Sequence, residues 1–353
     1  VLPNVGPLIV PTTKAQYFDA DRLAHPLPPQ LFSHNDQQDQ WHSLRGKFLL
    51  TSGWAGRVAD VLAEQTVAQR VPLNISLFGQ TLFHSSMSVE PYVMGVDGVN
   101  SFHGLEVNPQ LDPYGYQYNM GRRQGVERVL GDTLADRKRT YYERGYARVH
   151  DRALRYVDRV EKALSGGREF QALPSTAGKG KPLIRALRTV ARMIDQRRAL
   201  SMSRQIFFVS LGGFDTHDNQ LVDHPKLLAE LSSSVKAFFD AMAEIGMSEQ
   251  VTLFTQSDFA RTLTSNGDGS DHAWGGTQMV VGGAVRGGQI YGDYPVLEMG
   301  GALEIGGGIM IPTISSDQYA ATLASWFGVS PTNLPAVAPN VVNFSTPNLG
   351  FMA

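Results

Sequence analysis

The sequence predicts an α/β fold, a doubly wound and mainly parallel sheet with helices on both faces. Three unbroken apolar runs, at 206–211, 251–255 and 279–281, have the composition of strands buried on both sides. Before, between and after them, 183–200, 221–245 and 318–327 repeat apolar residues at the helical period, so strands and helices alternate as a parallel sheet requires.

Taken in chain order, residues 1–10 read as the tail of a β-strand and its exit loop, and a preceding segment is expected before Val1. Pro11, Pro26, Pro28 and Pro29 leave 11–30 too broken for regular structure. Ser33 offers an N-cap for a short helix over 35–44. Val58, Val61 and Leu62 give 54–65 helical spacing, and the alternation of Leu73, Ile75 and Leu77 makes 72–78 a strand. The most charged stretch, 121–163, has a narrow stripe of Val126, Val129, Leu130, Leu134, Tyr141, Tyr142 and Tyr146. It reads as a long solvated helix with one buried edge, the alternative being an anion-collecting lid. Gly-rich 165–167 and 176–182 are flexible connections, so 121–181 is expected to be a helical insertion and linker within a single domain spanning 1–353.

Composition narrows the function. In 353 residues, 31 Lys and Arg face 33 Asp and Glu, a net charge of -2, which gives no global field to attract nucleic acid or an anionic membrane. No apolar run is long enough to span a bilayer. With no cysteine, disulfides, Fe–S clusters and thiolate ligands are excluded, and any metal must be held by oxygen and imidazole.

Ligands of an open parallel sheet bind beyond the carboxyl ends of its strands. There the sequence is polar: Gly212-Gly213-Phe214-Asp215-Thr216-His217 after one apolar run, and Ser257-Asp258-Phe259-Ala260-Arg261-Thr262 after the next. Asn266-Gly267-Asp268-Gly269-Ser270-Asp271-His272 precedes the third. Asp215 and His217, two apart, project to the same side of an extended segment, with Asp218 facing away. Asp258 takes the equivalent edge of the next strand, and Asp271 and His272 return on a glycine-rich loop. These five are the candidate metal ligands, suited to a divalent ion such as Zn, Mn, Mg or Ca. Arg261 either pairs with Asp258 or a helix C-terminus or holds a substrate anion, and His34 either is a surface residue beside a capping Ser or reaches into the site. His224, before Pro225, is read as structural. The 266–271 loop lacks the Gly and Glu that an EF-hand needs.

These motifs, together with Leu31-Phe32-Ser33-His34-Asn35-Asp36 and the closing 320–328 segment, resemble the DUF1501 family of secreted bacterial proteins. The resemblance runs over nearly the whole chain and implies an alkaline-phosphatase-like and sulfatase-like fold with a metal-dependent site. It also implies twin-arginine export to the periplasm or beyond. Ala260 and Ala273 stand where the family usually shows Gly, and its opening Gly-Gly-Asn-Asp-Gly-type strand has no counterpart here. The expected function is therefore a metal-dependent hydrolase of phosphate or sulfate esters, with Arg261 and His34 as catalytic groups and a small anionic ester as substrate. An oligomer or a companion N-terminal fragment would supply what the missing strand does. The alternative is a non-catalytic secreted binding or structural protein that keeps the fold.

Overall fold

Residues 1–46, 51–66, 71–99, 102, 104–105, 116–176 and 180–353 are described by a computed structural model. The expected connection at 176–182 falls in part outside them.

The chain opens with β1 (Leu2–Gly6), α1 (Lys14–Phe18), α2 (His34–Ser43), α3 (Trp54–Val61), α4 (Ala63–Thr66), β2 (Asn74–Ser76) and β3 (Tyr92–Val93). Then come α5 (Tyr116–Ala135), α6 (Tyr141–Ser165), α7 (Pro182–Asp195), β4 (Ile206–Phe208), α8 (Gln220–Glu244) and β5 (Thr252–Phe254). The chain ends with β6 (Arg261–Ser265), β7 (Ser270–His272), β8 (Gly276–Gln278), β9 (Val280–Gly282), β10 (Ile314–Ser315), α9 (Ser316–Phe327) and α10 (Leu334–Val337).

The protein is mixed α/β, with small sheets and helices. The strands form ladders in the orders β10-β1-β8, β3-β2-β4, β5-β9 and β6-β7. β1 pairs in parallel with β10, and β2 with β3 and β4, whereas β1–β8, β5–β9 and β6–β7 are antiparallel. This corrects the expectation of a mainly parallel sheet. The physical reason lies between β5 and β9, where the chain makes the β6–β7 hairpin and β8 and no crossover helix returns it to the starting end. β8 and β9 are nearly one strand, interrupted at Met279, pairing first with β1 and then with β5.

Helices cover both faces of β4 and β5, because alternate side chains enter different cores. Ile206, Phe208 and Phe254 join the cluster of α3, α9 and β1, while Phe207, Val209 and Leu253 pack with α7 and α8. The first core is pinned by Arg57 of α3. Its buried guanidinium donates to the Ser52 carbonyl at 2.8 Å and to the Val337 carbonyl at 2.7 Å, and burial lowers its pKa to about 10.

The single helix expected over 121–163 is two helices. The first ends at Ala135, and Thr140 starts the second in a capping box, its hydroxyl accepting from the Glu143 amide and the Glu143 carboxylate accepting from the Thr140 amide. Of the expected apolar stripe, Leu130 is buried but Tyr141, Tyr142 and Tyr146 are exposed. A second capping box, Thr13 with Gln16, builds α1 inside the segment expected to be irregular.

Candidate metal centre

Separate segments deliver the site. His34 is the first residue of α2, behind the N-cap Ser33, whose hydroxyl donates to Asp36 at 2.7 Å. Asp215 and His217 lie on the loop after β4, and Asp258 on the loop after β5. Arg261 and His272 face each other as cross-strand partners in the β6–β7 hairpin. The tip of that hairpin is tied by Asn266, whose side-chain Oδ1 accepts from the Gly269 amide at 2.8 Å. Gly269 then presses against the 215–217 segment so closely that a Cβ there would lie 2.3 Å from the Thr216 and His217 carbonyl oxygens. Only glycine permits that approach.

Three imidazole Nε2 atoms surround the Asp215 carboxylate. His34 Nε2 lies 3.0 Å from Oδ2, while His217 Nε2 and His272 Nε2 lie 3.0 and 3.1 Å from Oδ1. The two latter nitrogens are 2.9 Å apart. Arg261 Nη1 donates to the same Oδ1 at 2.7 Å and also holds Ser270 through its carbonyl oxygen. The ligand atoms of His34, Asp215 and His272 all lie within 4.8 Å of one another.

The outer faces of the rings decide what the inner faces carry. His272 Nδ1 is 2.8 Å from the Phe32 carbonyl oxygen, which can only accept, so Nδ1 bears the proton. His217 Nδ1 is 3.1 Å from the Asp271 carboxylate, with the same consequence. In neutral rings both Nε2 atoms are then lone pairs, aimed at each other and at an ionised carboxylate oxygen. Such a convergence of acceptors is repulsive unless a proton or a cation enters it. The 2.9–3.1 Å spacings approach the edges of a ligand set about 2.0–2.2 Å from a common ion. The nitrogen and oxygen donor set fits a borderline divalent cation, and the Asp271–His217 and Phe32–His272 contacts would orient its ligands from behind.

Electrostatics follow the contacts. Burial opposes ionisation of Asp215, but hydrogen bonds from His34 and Arg261 outweigh it and hold the carboxyl at about 2. For His34 partial burial opposes charging, yet its bonds to Asp258 and Asp215 raise its pKa above the ordinary value.

All seven residues singled out in the sequence, Asp215, His217, Asp258, Asp271, His272, Arg261 and His34, meet here, though not in equal positions. Asp258 touches the cluster through His34 Nδ1, at 3.2 Å, and Asp271 through His217. The carboxylate partner of Arg261 is Asp215, not Asp258, because the cross-strand register with His272 turns its guanidinium toward the 215 loop. Asp218 is exposed, and His224 lies edge-on to Phe214 at 5.8 Å. Sequence reasoning missed Phe259, which stacks on His272 at 3.8 Å and leans on His34 at 4.6 Å. It also missed the Phe32 carbonyl and Gln37, whose amide donates to the Asp258 carbonyl at 3.1 Å.

No curated protein and no solved structure matches the chain. A family described as "Protein of unknown function (DUF1501)" matches residues 23–330, a span that holds every residue of the cluster. The chain belongs to the DUF1501 family.

Proposed function

We propose that this protein is a metal-dependent hydrolase of phosphate or sulfate esters. The observation that carries the reading is the convergence of His34, His217 and His272 Nε2 on Asp215. A bound divalent ion would polarise the ester oxygen and stabilise charge on the leaving group. Arg261 fixes the Asp215 carboxylate and offsets its charge, and Asp271 and the Phe32 carbonyl set the tautomers of the two inner rings. The side chains of Asp215, His34 and His217 are 41, 44 and 39% exposed, which suits an open coordination position better than an enclosed structural ion. An alkaline-phosphatase-like architecture and export to the periplasm or beyond belong to the same reading.

The test is hydrolysis of simple aryl phosphates and sulfates by protein purified without chelator, with and without added Zn, Mn, Mg or Ca. Activity should require the ion. Asp258→Ala should lower it by about a hundredfold or more, while His224→Ala, outside the cluster, should leave it nearly intact. Metal-loaded protein that is inert on phosphate, sulfate and phosphonate esters alike would overturn the reading in favour of a non-catalytic binding or structural protein.

A further inference from the structure

The α5–α6 hairpin is unlike the rest of the chain in charge. Residues 121–165 hold twelve Lys and Arg against seven Asp and Glu, while the remainder holds nineteen against twenty-six. The net charge of -2 therefore hides a local cationic surplus. The surplus reaches the hairpin's tip, where every residue from Ala135 to Glu143 is exposed. Arg139 is paired with Asp136 and Glu143, but among the described residues Arg137 and Lys138 have no ion-pair partner. Beside them Tyr141 and Tyr142, 79 and 85% exposed, pack edge to face at 6.1 Å, with Tyr146 exposed one turn on. The base is anchored, since Val160, Ala163 and Leu164 of α6 enter the core of α7 and α8.

We propose that this tip docks on an anionic lipid bilayer surface. Unpaired cations attract the surface, and tyrosines suit the headgroup zone, where the ring is shielded and the hydroxyl stays wet. An exposed tip fits a flat surface, whereas nucleic acid is usually tracked along a groove. Among the described residues no helix is long and apolar enough to cross a membrane, and the proposed contact is a peripheral one.

The experiment is co-sedimentation of the full chain with phosphatidylcholine vesicles containing about one third phosphatidylserine, and with phosphatidylcholine alone. Binding should be confined to the anionic vesicles and weaken with salt. Arg137→Glu with Lys138→Glu should lower the partition coefficient about tenfold or more, and Tyr141→Ala with Tyr142→Ala should lower it severalfold. Amide exchange of the unaltered protein should slow at 137–146 when vesicles are added, a readout independent of how the variants fold. No binding, equal binding to uncharged vesicles, or protection elsewhere would overturn the proposal. Tighter binding to a single-stranded polynucleotide, insensitive to the tyrosine substitutions, would overturn it in favour of a nucleic-acid face.

Discussion

Asp271 shows how a residue outside the inner shell can govern the cluster. Its carboxylate faces His217 Nδ1 at 3.1 Å and also accepts from Asn266 Nδ2 at 3.2 Å, so it fixes both the tautomer and the angle of the ring. Asp271→Asn keeps an acceptor but removes the charge. It is expected to weaken divalent-ion affinity about tenfold to a hundredfold, measured by competition with a chromophoric chelator. Unchanged affinity would separate His217 from the ion. At this scale much was legible: polar residues just after apolar runs, with Asp215 and His217 two apart, marked the cluster. The Phe32 carbonyl and the stacked Phe259 were not legible, because a backbone oxygen has no sequence signature and ring stacking depends on which loops meet.

For elements, the close packing of α3 gives a prediction whose sign is decisive. A Cβ at Gly56 would lie 1.8 Å from the Ser85 carbonyl oxygen, and one at Gly53 2.0 Å from that of Leu82. Helix propensity alone makes Gly56→Ala stabilising by about 1 kcal/mol. The backbone contact reverses that, with an expected loss of about 3 kcal/mol or more in urea unfolding. A stabilised variant would show that the helix and the 82–86 segment do not meet so closely. Element positions were mostly readable, as α3, α7, α8 and α9 lie close to where the apolar period put them. The break between α5 and α6 was written as Thr140-x-x-Glu143, but the periodic pattern on either side obscured it. Strand direction was unreadable, since an apolar run such as 279–281 looks the same parallel or antiparallel.

Acid response belongs to the whole molecule. Burial depresses His42 to about 4 and His84 to about 3, so below the ordinary histidine value the unfolded chain takes up protons that the native state refuses. Their contribution is complete above about pH 6.5 and is lost as pH falls toward 3–4, with a slope of up to about 1.4 kcal/mol per pH unit for each. Asp317 acts oppositely. Burial raises it to about 7 against the bonds from Asn340, so the native state binds the extra proton and stability falls as pH rises from about 4 to 7. Between about pH 4.5 and 6 Asp317 cancels one histidine, so Asp317→Asn should about double the loss of unfolding free energy on acidification. A slope unchanged or shallower in urea titrations at several pH values would contradict this assignment. The candidate site is likewise a property of the whole chain, because residues 34, 215, 217 and 272 meet only when α2, the loop after β4 and the β6–β7 hairpin are in place. The most direct test is a calorimetric titration of chelator-stripped protein with Zn and Mn, beside Asp215→Ala. The unaltered protein should bind a divalent ion that the variant does not. No binding by the folded protein, or equal binding by Asp215→Ala, would contradict the metal centre.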